Sequence, residues 1–327
     1  MHIPDGWLSL PIILLGWSIT LGALGFAVVK FKKENIENLT NVGVVAAVIF
    51  VAQMFNFPIA GGTSGHMLGA AFATYVLGVP GAIMAMFVVI TTQAIVFADG
   101  GIVTIGVNVF NMGIVGVIVA YIVRRIFEGL ERNAKNKETK DRIYVGGAFL
   151  AAFLSVVFAS FFACSELVAS GVTTYKVSLP PILFYHTLIG LGEGFLTMFI
   201  ILFLMKSEFP LRRSMEQPAE PFIETIKKSN KPLLGSAIIL FGLSVLALFA
   251  SPHPDGLEKV SMIAGFENKA REPFGLGVAN DYDFLMLGGF LGTFLSALLG
   301  IVIVLGVFFI PAMIVREYSA KKTQFTQ

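Results

Sequence analysis

The sequence predicts an all-α membrane protein with about nine transmembrane helices, its N-terminus outside and its C-terminus cytoplasmic. Three observations predict it. First, 56% of the 327 residues are hydrophobic, only 13% are charged, and the mean hydropathy is +0.81. Soluble domains carry about a quarter charged residues, so lipid is the solvent this composition suits. Second, the apolar residues fall in long runs, and a helix needs about 20 of them to cross a bilayer. Third, the basic residues segregate. All but Lys176, Lys259, Lys269 and Arg271 of the 23 lie at the end of the fifth run or after the first, fifth, seventh and ninth runs. Lys and Arg concentrate in cytoplasmic loops, and an outside N-terminus with nine crossings satisfies that split.

The runs, in order, are Leu8–Val29, Val42–Phe57, His66–Leu77, Gly81–Phe97, Ile102–Phe127, Ile143–Cys164, Ile182–Met205, Leu233–Ala250 and Phe284–Pro311. The third is too short to span alone. It joins the fourth through the uncharged turn Leu77-Gly78-Val79-Pro80-Gly81, so protein or a polar cavity must cover it. No Lys or Arg precedes Lys30, which argues against a cleavable signal and for a retained Met1 amine. Three units are expected: a seven-span capture domain over 1–206, a Pro-containing cytoplasmic linker over 207–232, and a two-span unit over 233–327. The two-span unit encloses an outer loop, Ser251–Asp283. Cys164, the single cysteine, sits in an apolar run and reads as a packing residue.

Chemistry points to a metal. The only histidines are His2, His66, His186 and His253, and imidazole suits nickel, copper, zinc and iron. The Met1 amine, the His2 main-chain nitrogen and His2 Nδ1 can close adjacent chelate rings on one ion. A fourth nitrogen then completes a square plane, the geometry of Ni(II) and Cu(II). His66, at the end of Gly61-Gly62-Thr63-Ser64-Gly65-His66, is the best candidate for it, because the glycines permit close backbone approach. Pro4-Asp5-Gly6 reads as a turn. The bland alternatives are a chance His at position 2 and a helix-capping His66.

Polar residues inside apolar runs should face the bundle interior. Gln53, Gln93, Asp99, Asn108 and Asn111, with Ser64 in the glycine block, are candidates for a supporting shell that orients the ligands. Asn56 and Glu193 are further interior polar residues. Amides also join helices simply for packing, which is the competing reading for each. Gly62-Thr63-Ser64-Gly65, with His186 as base, matches the short motif of rhomboid-type intramembrane serine proteases. That alternative function conflicts with the expected loop position of Ser64. Pro252-His253-Pro254-Asp255-Gly256 reads chiefly as a turn. The chain has no P-loop, no His-Glu-x-x-His, no cysteine pair and no basic–aromatic nucleic-acid surface.

Met1-His2-Ile3-Pro4-Asp5-Gly6, the Gly-Gly-Thr-Ser-Gly-His block, Asp99-Gly100-Gly101 and Asn108–Gly113 together resemble the substrate-capture subunits of nickel and cobalt energy-coupling-factor importers (the CbiM/NikM family). The resemblance covers roughly residues 1–210. Pro254-Asp255-Gly256-Leu257-Glu258 resembles the small CbiN/NikN-type component, so the chain looks like a fusion of the two. The resemblance implies that Ni²⁺ or Co²⁺ is the transported substrate, held by the Met1 amine, the His2 main-chain and ring nitrogens, and His66. It also implies a transmembrane coupling subunit and two cytoplasmic ATPases as partners, membrane lipid around the chain, and no enzymatic activity of its own. A stand-alone secondary metal transporter is a further alternative.

Overall fold

The computed structural model describes every residue except 35–37, 213–214, 218–219, 272–277 and 326–327. The described chain is almost entirely helical: α1 Leu10–Glu34, α2 Leu39–Met54, α3 Ala70–Val96, α4 Ile105–Asn108, a π-helical stretch Val109–Val115, α5 Gly116–Arg132, α6 Lys137–Ala169, α7 Tyr175–Lys206, α8 Phe222–Lys228, α9 Lys231–Ala247, α10 Gly256–Ala264 and α11 Gly289–Phe325. One β-hairpin, β1 Phe57–Ile59 and β2 Thr63–Gly65, pairs antiparallel with Pro58 opposite Ser64.

Among the described residues six helices are long and apolar enough to cross a membrane, or seven if the bent pair α8–α9 counts as one span. This is fewer than the nine runs expected, for two physical reasons. Helix α2 has only 16 residues, and every one of them is buried. A helix apolar all round belongs inside a bundle, and α2 is wrapped by α3, α9 and α11. The third and fourth runs form one continuous element, α3, interrupted at Gly78.

That interruption is a reversal. A straight helix of 27 residues would be about 40 Å long. Yet His66, just before α3, and Gln93, near its end, both touch His2. Ala70 and Met86, on either side of the break, likewise lie against Gly116 and Gly113 of neighbouring turns. The chain folds back at Gly78 (φ 74°, ψ 177°), a conformation that is essentially glycine-only. Pro80 follows and cannot continue the first helix's hydrogen bonding.

Leu14, Leu15, Leu21 and Phe26 of α1 and Phe290, Val302 and Ile310 of α11 are exposed, as expected of lipid-facing helix surfaces. On its other side α1 crosses α4 closely, with Gly16 against Val107 and Gly106 against Trp17. The segment 207–232 is less solvated than a linker composition suggests. Phe209, Arg212 and Phe222 are buried, and Arg212 Nη1 donates to the Leu77 carbonyl (3.0 Å) at the α3 reversal.

The segment 252–256 is more than a turn, because Asp255 caps helix α10. Asp255 Oδ1 accepts from Leu257 N (2.7 Å) and Glu258 N (2.9 Å), and Glu258 Oε2 accepts from Asp255 N (2.9 Å). This is a capping box. Phe266 beyond α10 meets the Trp7 ring edge-on at 5.0 Å, and Arg271 N donates to the Asp5 carbonyl (2.8 Å). Residues 252–271 are thereby fastened over the N-terminal segment.

Candidate metal centre

Residues 1–5 run into the bundle and are held there by main-chain bonds. The Asn108 side chain takes both polar groups of Ile3, accepting from its N (2.8 Å) and donating to its O (3.0 Å). Thr104 Oγ1 and Gly101 N donate to the same carbonyl at 2.7 and 3.1 Å. Asp5 accepts from Thr104 N (3.1 Å) and Val103 N (3.3 Å). Gly101 must be glycine, because a Cβ there would fall 2.1 Å from Asp5 Oδ1.

This clamp buries Met1 and His2, 6% and 8% exposed, beside His66, 9% exposed. The Met1 ammonium donates to His66 Nε2 at 2.9 Å and also pairs with Asp255. His66 Nδ1 lies 3.0 Å from the Met67 carbonyl. A carbonyl only accepts, so Nδ1 carries the proton and Nε2 presents its lone pair. The His2 and His66 rings stack, with centroids 5.5 Å apart and planes 17° from parallel. His2 Nδ1 faces Asp99 (3.0 Å) and His2 Nε2 faces Gln93 Oε1 (3.2 Å). Tyr282 donates to the second Asp99 oxygen at 2.7 Å.

The electrostatics favour a cation. Burial, the adjacent Met1 ammonium and His2 together push the His66 pKa down to about 3, so its lone pair is free at neutral pH. Burial alone would raise Asp255, but the Met1 ammonium and His66 outweigh it and hold the carboxyl below the usual carboxylate range. Asp99 behaves alike: its burial is outweighed by the charge and hydrogen bond of His2 and by the Tyr282 hydroxyl.

Of the four nitrogens suggested by the sequence, the Met1 amine and His66 Nε2 meet directly, and the His2 ring stacks on that of His66. Two nitrogens bound at right angles, each about 2.0 Å from one ion, lie about 2.8 Å apart. The Met1–His66 separation of 2.9 Å has that spacing. An ion entering at His2 Nδ1 would replace the proton that faces Asp99, leaving Nε2–H on Gln93. Among the described residues no three His, Cys, Asp or Glu side chains cluster as an ion site.

Of the other candidates, Gln53 supports the His66 segment, with Nε2 donating to the Leu68 carbonyl (2.7 Å). Ser64 binds the segment before α10: its N donates to Pro254 O (2.9 Å) and its Oγ to His253 O (2.7 Å). His186 Nδ1 is on the Ile182 carbonyl (2.8 Å), so Ser64 and His186 make no nucleophile–base pair among the described residues. Asn111 stands apart, donating to Glu166 of α6 (2.6 Å). Two contributors escaped the sequence reading as parts of the centre. Glu193 of α7 accepts from Leu68 N (2.7 Å) and Gly69 N (2.9 Å), fixing the turn after His66. Asp255 is the second; its repeat of Pro-Asp-Gly beside a histidine was the available signal. A cavity of about 690 Å³ opens over the centre, lined by His2, His66, Asp99, Asp255, Glu258 and Tyr282 among others.

Comparison with known proteins identifies a family. Residues 2–211 match the profile of the CbiM family, described as the cobalt uptake substrate-specific transmembrane region. The chain is 35% identical over 314 residues to a putative fused nickel transport protein, NikMN, of Archaeoglobus fulgidus, covering 94% of this chain and 97% of that protein. It is 32% identical over 136 residues to a putative cobalt transport protein, CbiM 1, of Methanosarcina barkeri, covering 41% of this chain and 59% of that one. A crystal structure described as a transition metal transporter superposes with a TM-score of 0.55 at 27% identity, covering 64% of this chain and 94% of that chain.

Proposed function

The chain belongs to the CbiM family of cobalt uptake substrate-specific transmembrane proteins, and on that premise we propose that it is the metal-capturing component of an ATP-driven importer for Ni²⁺ or Co²⁺. It is a multi-pass membrane protein whose relatives are metal transport components rather than enzymes. The observation that carries the reading is the buried Met1 amine 2.9 Å from His66 Nε2, beside the His2 ring. The captured ion sits on the outer face, in a plane of four nitrogens from Met1, His2 and His66.

Several features support the arrangement. The two halves of α3 and the short α2 count as three of nine helical legs in this reading, and with the basic-residue split that count favours an outer N-terminus and a cytoplasmic C-terminus. Residues 1–206 form the capture domain, 207–232 the cytoplasmic connection, and 233–327 the auxiliary unit whose outer loop covers the centre. Asp255 of that loop holds the amine in the metal-free state. Hard Mg²⁺ and Ca²⁺ are refused because they want oxygen ligands, whereas an ion that can displace an amide proton is accepted.

The chain has no P-loop, so energy must come from partners: a transmembrane coupling subunit and two cytoplasmic ATPases. Uptake of ⁶³Ni or ⁵⁷Co by cells producing the chain with and without these partners tests the proposal. Uptake that needs the ATPases and is lost in His66→Ala is expected. Undiminished uptake by the chain alone points instead to a self-sufficient secondary transporter.

A further inference from the structure

We propose that His186 is an additional metal donor, an imidazole that binds the captured ion axially on its way from the outer centre into the bundle. The inference rests on the four-nitrogen reading above and extends it to a residue with no role there.

His186 lies on α7 and is 1% exposed. Its Nδ1 is 2.8 Å from the Ile182 carbonyl, so Nδ1 is the donor and Nε2 of the neutral ring presents a lone pair. That lone pair has no partner among the described residues. Buried polar atoms are almost always satisfied, and an exception calls for a reason. His66 has the same arrangement: Nδ1 on the Met67 carbonyl, Nε2 turned to the centre. A ring whose far N–H is fixed on a carbonyl is the usual state of a metal-binding histidine.

His186 also faces the centre. One small cavity is lined by Met1, His66, His186 and Asp255, with Gly65 and Ile189 beside them. Its volume is about 10 Å³, close to the one-probe volume that holds a water, and a bare divalent ion is smaller. Packing alone does not explain the residue. Gly256 would place a Cβ 3.1 Å from His186 Cε1, so the site is tightly filled, but a phenyl ring would fill it without an orphaned acceptor.

A planar four-nitrogen ion has two open axial faces. An axial nitrogen raises the coordination number to five and weakens the in-plane bonds, which gives a tightly chelated ion a route off the outer ligands. His186 is therefore a relay donor.

Co²⁺ is the probe, because a low-spin planar Co²⁺ ion places its unpaired electron along the axial direction. Full-length protein loaded with Co²⁺ should show axial nitrogen splitting in its frozen-solution electron paramagnetic resonance spectrum. His186→Ala and His186→Phe should both lose the splitting. Partner-dependent uptake should fall by about tenfold or more, the scale of losing a metal-supporting group. Splitting that persists in both variants, or that is missing from the unsubstituted protein, overturns the proposal, as does unaltered uptake. His66→Ala separates the two readings. If it leaves affinity unchanged the four-nitrogen centre is wrong, whereas splitting that survives in that variant keeps His186 as a donor.

Discussion

Lengthening the chain ahead of His2 tests the chelate by its ring sizes. Ile3 is fixed by four hydrogen bonds to Asn108, Thr104 and Gly101, so inserted residues cannot be absorbed downstream and must push the amine outward. Two residues between Met1 and His2 displace it by up to about 7 Å, against a metal–nitrogen bond of about 2 Å. The amine and its adjoining amide are then lost as ligands. Four-ligand structural zinc sites bind with about 10–16 kcal/mol, or about 3 kcal/mol per donor. Losing two donors should cost about 6 kcal/mol, or about 10⁴-fold in affinity. His66→Ala, which removes one, should cost about 100-fold.

A one-residue insertion is the informative contrast. With His in third place the amine, two amides and the ring supply four nitrogens without His66. Tight binding should survive, and His66→Ala should then have no effect. The assay is competition for Ni²⁺ against a chelator, read in purified untagged protein, with the visible band of planar Ni²⁺ as a second signal. Equal, undiminished affinity in the one- and two-residue variants would refute the chelate.

Three further outcomes follow from the same geometry. Asp99→Asn removes the charge facing His2 Nδ1; such supporting groups are worth about 10–100-fold in metal affinity, measurable by the same competition. Gly78→Ala puts a side chain into a glycine-only conformation, with its Cβ 2.4 Å from Arg212 Nη1; it should destabilise the metal-free protein by about 2 kcal/mol or more, seen as a lower unfolding midpoint in detergent. The pH dependence has a defined sign. His66 is already deprotonated well above its lowered pKa of about 3, so between pH 6 and 8, roughly, it releases no proton on binding. Affinity should rise with pH through the other displaced protons, those of the Met1 amine, the His2 amide and the His2 Nδ1 position that faces Asp99, and calorimetry in buffers of different ionisation enthalpy counts them.

Much of the centre was legible because its chemistry is local in sequence. The first two residues contain three of the four proposed donors, and the glycine block before His66 marks close packing. Gln93, Asp99 and Asn108 were recoverable as polar residues in apolar runs, and each contacts the N-terminal segment. Asn111 shows the limit of that signal: it is as polar and as buried as Asn108 but, within the π-helical stretch Val109–Val115, it donates to Glu166. The roles of Asp255 and Glu193 were hidden by distance. Nothing in the order of the chain says that position 255 meets position 1, or that an acid on α7 accepts from Leu68 and Gly69. The β-hairpin was invisible for the opposite reason: its three-residue strands are too short to show an alternating pattern. The Gly78–Pro80 pair did disclose the reversal of α3, since both residues break helices by known mechanisms.

The most direct test is X-ray absorption at the nickel edge of the untagged, Ni²⁺-loaded protein. Four nitrogen scatterers at about 2.0 Å in a plane are expected, with the outer-shell pattern of imidazole reduced in His66→Ala. Six oxygen or nitrogen neighbours in an octahedral shell, unchanged by His66→Ala, would contradict it.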